Sequence, residues 1–139
     1  MNLMIINGPN LNLVGSREIQ IYGAKTFKEY FDKISRKYIQ VNLIYFQSNI
    51  EGELINQIQN AQVDGIILNA GGYTHTSVAI RDCISAVDTP VIEVHLSNIA
   101  SRESFRHDSL ITPVCKGCIM GFGLESYELA MYYFLNRQT

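Results

Sequence analysis

The sequence predicts an α/β fold, an open parallel sheet with helices on both faces, and three observations lead there. Five short apolar runs of strand character alternate with four segments whose apolar residues recur at helical spacing. Strands separated by connections of this length pair in parallel through right-handed crossovers, because tight hairpins join only antiparallel neighbours. The length of 139 residues and the 47% apolar composition suit a single domain, 1–139, with a core of its own.

Taken in order, "LMII" (Leu3 to Ile6) reads as a buried strand. "TFKEYFDKISRKY" places Phe27, Tyr30, Phe31, Ile34 and Tyr38 on a helical face behind a Thr26-x-x-Glu29 capping box. "VNLIYF" (Val41 to Phe46) is the second strand, and Ser48-x-x-Glu51 reads as another capping box opening a helix with Leu54, Ile58 and Ala61 inward. "VDGIILNA" is the third strand, and Ser77 to Val87 is a helix carrying Ile80, Cys83, Ile84 and Val87 on one side. "PVIEV" (Pro90 to Val94) is the fourth strand and "CIMGF" most of the fifth. A last helix near Leu124 to Leu135 aligns Leu124, Tyr127, Met131 and Phe134. Five parallel strands in a three-layer sandwich suggest the flavodoxin-like order 2-1-3-4-5. Ligands bind such sheets beyond the carboxyl ends of the strands where the order reverses, here between strands one and three.

Composition narrows the function. With 11 basic and 13 acidic residues the net charge is -2, which offers no general attraction for nucleic acid or anionic membrane. No run reaches the roughly 18 apolar residues of a membrane helix. Met1 leads into a strand with no basic leader, so a cytoplasmic protein is expected. The cysteines Cys83, Cys115 and Cys118 are odd in number, and "CKGC" leads into a strand rather than opening a helix. Buried thiols are expected in place of a disulfide, a redox pair or a zinc site. No His or Cys cluster has metal-ligand spacing, so no metal is expected.

Polar residues collect at the predicted strand ends. After the first strand, "NGPNLN" (Asn7 to Asn12) opens a connection running from Gly8 to Lys25. This exceeds the roughly 12 to 15 residues beyond which a loop is usually functional or disordered. It reads as a lid with Gly8, Gly15 and Gly23 as hinges, carrying Arg17 and Tyr22, although turn formation alone accounts for "NGPN". Strand three ends in "NAGGYTHTS", with Asn69 and His75, and strand four in "EVHLSN", where alternation puts Glu93 and His95 on one face. A carboxylate beside a histidine fixes its tautomer and suits a proton donor near neutral pH; the alternative is a satisfied core histidine. "SRESFRHDS" sets Arg102 and Arg106 four apart on one side of a short helix, either as an exposed charged face or as a clamp for a carboxylate. Tyr22 either packs the loop or serves as a base, if a guanidinium such as that of Arg17 favours its phenolate. The set fits acid–base chemistry on a small polyhydroxylated carboxylic acid.

Together "NGPNLNLVGSREIQIYG", "FQSNIEGELIN", "ILNAGGYTHTSVAIRD", "EVHLSNIASRESFRHDS" and "GFGLESYELA" resemble type II 3-dehydroquinate dehydratase, from the first strand to the last helix and in the right order. The resemblance implies a cofactor-free anti elimination of water from 3-dehydroquinate in the shikimate pathway, through an enolate. It implies Tyr22 as the base, with Arg17 sustaining its phenolate, and Asn10 stabilising the enolate through a bound water. His95 would protonate the departing hydroxyl, oriented by Glu93. Asn69, His75 and Arg106 match substrate-hydroxyl contacts, and the backbone amides of Leu96 and Ser97 match the carboxylate site. Asp82 matches a contact from a neighbouring subunit, and Arg102 a second lid-side arginine. A homo-oligomer, a dodecamer built from trimers, is implied as well. Two positions depart from the pattern: Ile19 stands where the loop commonly has proline, and Ile50 where histidine is frequent.

Other functions on this architecture need residues the chain does not place suitably. A phosphoacceptor receiver needs an acidic cluster beyond strand one, where Asn7, Gly8, Pro9 and Asn10 stand. "GFGLES" lacks a third glycine and a P-loop lysine for nucleotide or FMN phosphates. An interaction protein would have no need of Arg17, Tyr22, Asn10 and His95 together. Schiff-base dehydration needs a lysine within a barrel of about 250 residues. Lys25, Lys28, Lys33, Lys37 and Lys116 do not gather at the strand ends.

Overall fold

The structure, a computed structural model, describes residues 1–16 and 25–137. The strands are β1 (Asn2–Asn7), β2 (Asn42–Gln47), β3 (Gly65–Asn69), β4 (Val91–His95) and β5 (Gly117–Met120). They form one parallel sheet in the order β2-β1-β3-β4-β5, as the pattern predicts. The helices are α1 (Phe27–Lys37), α2 (Glu51–Asn60), α3 (Val78–Ala86) and α4 (Glu125–Leu135).

Strict alternation along the strands builds two cores. Leu3, Ile5, Ile67, Ile92 and Val94 face Phe27, Tyr30 and Ile34 of α1 and Tyr127, Met131 and Phe134 of α4. On the other face Met4, Ile6, Ile66, Leu68 and Val91 meet Leu54 and Ile58 of α2 and Ile80 and Ile84 of α3. Every residue of β3 and β4 is therefore buried, while edge strand β2 alternates between exposed and half-buried positions only from Asn42 to Tyr45 and is half-buried through Gln47. Among the described residues no helix is long and apolar enough to cross a membrane.

Ser77 caps α3, accepting from the Ile80 amide at 2.9 Å. The expected cap at Thr26 forms as well, accepting from the Glu29 amide at 3.2 Å. The expected box at Ser48 and Glu51 does not, because the Ser48 amide is still tied to the Asn7 carbonyl at 3.1 Å and the helix begins only after Ile50. Ser48 instead accepts from the Ile50 amide at 3.0 Å and donates to the Glu53 carboxylate.

At the sheet's reversal point the last residues of β1 and β3, Asn7 and Asn69, are register partners. The Gly8 amide continues the ladder to the Asn69 carbonyl at 2.7 Å, and a Cβ on Gly8 would stand 2.5 Å from the Ala70 carbonyl oxygen. Gly8 is thus a close-packing glycine rather than the hinge its place in the loop suggested.

Candidate active site

A cavity of about 200 Å³ opens at the carboxyl edge of the sheet, above β1, β3 and β4. One wall follows β1. Asn10 adopts the left-handed conformation (φ 69°, ψ -5°), which asparagine tolerates better than most residues, and its amide donates to Asn49 Oδ1 at 3.0 Å. Leu11 and Val14 are buried just beyond, so the start of the expected lid is anchored as a wall. Arg17 and Tyr22 lie outside the described residues.

The floor is a buried amide network. Asn69 Oδ1 accepts from the Gly71 amide at 3.1 Å, and its Nδ2 donates to the Tyr127 hydroxyl at 3.1 Å. Tyr127 in turn donates to Asn7 Oδ1 at 2.7 Å. Burial pushes the Tyr127 phenol above its ordinary range, so it stays protonated and remains a donor. Asn7 Nδ2 has no well-formed hydrogen bond among the described residues.

A charged pair closes the far side. Glu93 is fully buried and His95 nearly so, with His95 Nε2 2.7 Å from Glu93 Oε1. Ser109 donates to the same oxygen at 2.5 Å and Thr112 to Oε2. Burial alone would raise the Glu93 carboxyl; the bonds and charge of His95 with the two hydroxyls outweigh it and hold the group below its ordinary value.

The rim carries cations. His75 Nδ1 lies 2.8 Å from the Asp108 carbonyl, which can only accept, so Nδ1 carries a hydrogen. Arg102 and Arg106 both line the cavity, but the single short helix expected for them is absent. Arg102 is extended (φ -96°, ψ -167°) between two 3-10 turns, Ile99–Ser101 and Ser104–Arg106. Glu103 serves both, at 2.9 Å from Arg106 Nε and 3.8 Å from Arg102 Nε.

Glu93, His95 and Cys118 bring three ligand-capable atoms within 4.8 Å of one another, the one such group among the described residues. Both carboxylate oxygens are already occupied by donors. Burial, then the charge of Glu93, pushes the Cys115 and Cys118 thiols up to about 12. All three cysteines are free; Cys83 is buried as expected, while Cys115 and Cys118 are only partly so.

The family model described as class II dehydroquinase matches residues 1–135. The chain belongs to the class II dehydroquinase family. It is 55% identical to the 3-dehydroquinate dehydratase of Campylobacter jejuni strain 81-176, over 94% of this chain and 85% of the relative. To the 3-dehydroquinate dehydratase of Clostridium perfringens strain ATCC 13124 it is 52% identical over 99% of each. The crystal structure of the type II dehydroquinase from Butyrivibrio crossotus superposes with a TM-score of 0.94 at 43% identity, covering 98% of each chain.

Of the residues expected to act in this family member, Asn10, Asn69, His75, His95, Leu96, Ser97, Arg102 and Arg106 line one cavity, with Glu93 directly behind His95. Asp82 stands exposed on α3 and does not line it. Sequence reasoning missed Asn7, Asn49, Glu103, Ser109, Thr112 and Tyr127. Ser109 stands within a motif already singled out, but nothing in the spacing ties it to Glu93. Tyr127 reads only as one more apolar residue of α4.

Proposed function

We propose that the chain removes water from 3-dehydroquinate to give 3-dehydroshikimate, as a type II dehydroquinase of the shikimate pathway acting in the cytoplasm without a cofactor. Tyr22 takes the C2 proton as phenolate, sustained by Arg17, and the electron pair moves into the neighbouring carbonyl as an enolate. Asn10 stabilises that charge through a water. Collapse of the enolate expels the C1 hydroxyl on the opposite face, which takes a proton from His95 and leaves as water. The proton on Tyr22 returns to His95 through solvent, resetting both groups. The Leu96 and Ser97 amides hold the carboxylate, Asn69, His75 and Arg106 hold the hydroxyls, and Arg102 stands on the lid side. Asp82 reaches a neighbouring subunit's site in a dodecamer of trimers, and 1–139 acts as one domain.

The observation that carries this reading is the buried Glu93–His95 pair, 2.7 Å apart, at a cavity shared with Asn69, His75 and two arginines. The roles of Tyr22 and Arg17 rest on the motif that holds them. The test is an absorbance assay with 3-dehydroquinate free of metal and nucleotide, following the conjugated product. Turnover is expected, with Tyr22→Phe binding substrate yet losing nearly all of it; a fully active Tyr22→Phe enzyme would remove the phenol from its role. Borohydride added with substrate is expected to leave activity intact, and irreversible inactivation would point to a Schiff base instead.

A further inference from the structure

A buried imidazole and a buried carboxyl can share a proton in two ways, as imidazolium with carboxylate or as two neutral groups. Burial favours the neutral pair, because separated charges are costly away from water. With Nε2 bonded to Glu93 at 2.7 Å, both states leave a hydrogen on Nδ1, but only in the charged pair does it belong to an imidazolium, acidic enough to be given away.

The hydroxyls beneath the pair decide between these states. Ser109 Oγ accepts from the Ile111 amide at 3.3 Å and the Thr112 amide at 3.2 Å, so both its lone pairs are engaged. Its single hydrogen is directed to Glu93 Oε1 at 2.5 Å. Thr112 directs its own hydrogen to Oε2. Each carboxylate oxygen thus faces a hydroxyl hydrogen, and a proton placed on either would confront a donor already aimed there. The segment is fixed from both sides. The Leu110 amide bonds the Thr74 carbonyl at 2.8 Å, Arg81 Nη1 bonds the Leu110 carbonyl at 2.7 Å, and Ile111 is fully buried.

We propose that Ser109 and Thr112 are positioning residues that hold Glu93 as a carboxylate and so keep His95 the imidazolium whose Nδ1 proton the departing hydroxyl takes. This rests on His95 being the acid. As the C–O bond breaks, its electron pair stays on oxygen, the His95 proton joins that oxygen, and Glu93 retains its bond to Nε2–H. The two hydroxyls give up nothing; they fix where the proton waits.

The experiment compares wild type, Thr112→Val, Ser109→Ala and the conservative Thr112→Ser. Three quantities are read: dehydration, exchange of the substrate's C2 proton in deuterated water, and the 15N chemical shift of His95 Nε2 at the assay pH, assigned with His95→Gln. Thr112→Val is expected to lower dehydration about ten- to hundredfold, the range for a hydrogen bond to a charged group, with exchange changed far less. The Nε2 resonance should move from the position of a protonated ring nitrogen toward that of an unprotonated one in Thr112→Val and Ser109→Ala, and Thr112→Ser should recover both dehydration and resonance. Equal losses of dehydration and exchange, or an unmoved resonance, would overturn the proposal. If Thr112→Val does not fold, the Ser109→Ala resonance decides alone. A near-normal dehydration rate in His95→Gln would instead defeat the assignment of the acid, while the resonances would still report whether the hydroxyls hold the bridging proton on Nε2.

Discussion

Two buried polar networks meet the cavity from opposite sides, and they solve different problems. Beneath β1 and β3, Asn7, Asn69 and Tyr127 are neutral, and one amide nitrogen is left without a well-formed hydrogen bond among the described residues. Beneath β4, Glu93 is charged, and each of its oxygens is filled by donors from His95, Ser109 and Thr112. The contrast teaches that an uncharged network tolerates a gap because its task is orientation. A buried charge needs full compensation, since an uncompensated ion far from water costs far more than an unmade amide bond.

The largest expected effect comes from removing the charge. Glu93→Gln presents an amide NH2 where three hydrogens point inward. Dehydration should fall by about 10²- to 10⁴-fold, the span of a general acid's contribution, as read by steady-state kinetics. Smaller, and different in kind, is Tyr127→Phe. It deprives Asn7 Oδ1 and Asn69 Nδ2 of the phenol and should cost about 1 to 3 kcal/mol in urea unfolding, with KM raised more than kcat is lowered. If the two variants gave the same kinetic signature, the division between charge and orientation would fail.

pH separates the networks further. Glu93 lies below its ordinary value of 4.5 in the fold, so its contribution is present above pH 4.5 and is lost as pH falls through the folded value. Tyr127 lies above its ordinary value of 10.0, so its contribution is intact below pH 10.0 and is lost as pH rises through the folded value. Urea unfolding across pH should therefore show Glu93→Gln flattening the acid limb and Tyr127→Phe the alkaline one. Ser77→Ala provides the smallest effect. It removes a cap remote from both networks and should cost about 1 kcal/mol by the same measurement, with kinetics unchanged.

The sheet and helices were legible because each follows from a local period, and the cap at Thr26 from a pattern three residues long. Ser48 misled because a contact from Asn7 delays the helix, and no local pattern contains that contact. The same division runs through the site. Glu93 and His95 were legible as a pair because two residues on one strand share a face. Ser109 and Thr112 reach Glu93 from 16 and 19 residues away, and Tyr127 reaches Asn7 from 120, separations at which residue type gives no hint of contact. Arg102 and Arg106 do reach one cavity, though by two turns and an extended residue rather than by a helix.

The backbone at Asn10 has a consequence for how this wall can change. A side chain there must accept a positive φ of 69°, which restricts drift by single substitutions largely to glycine and aspartate. Selection can therefore retune the rest of the cavity through ordinary replacements, whereas position 10 draws on a very small alphabet.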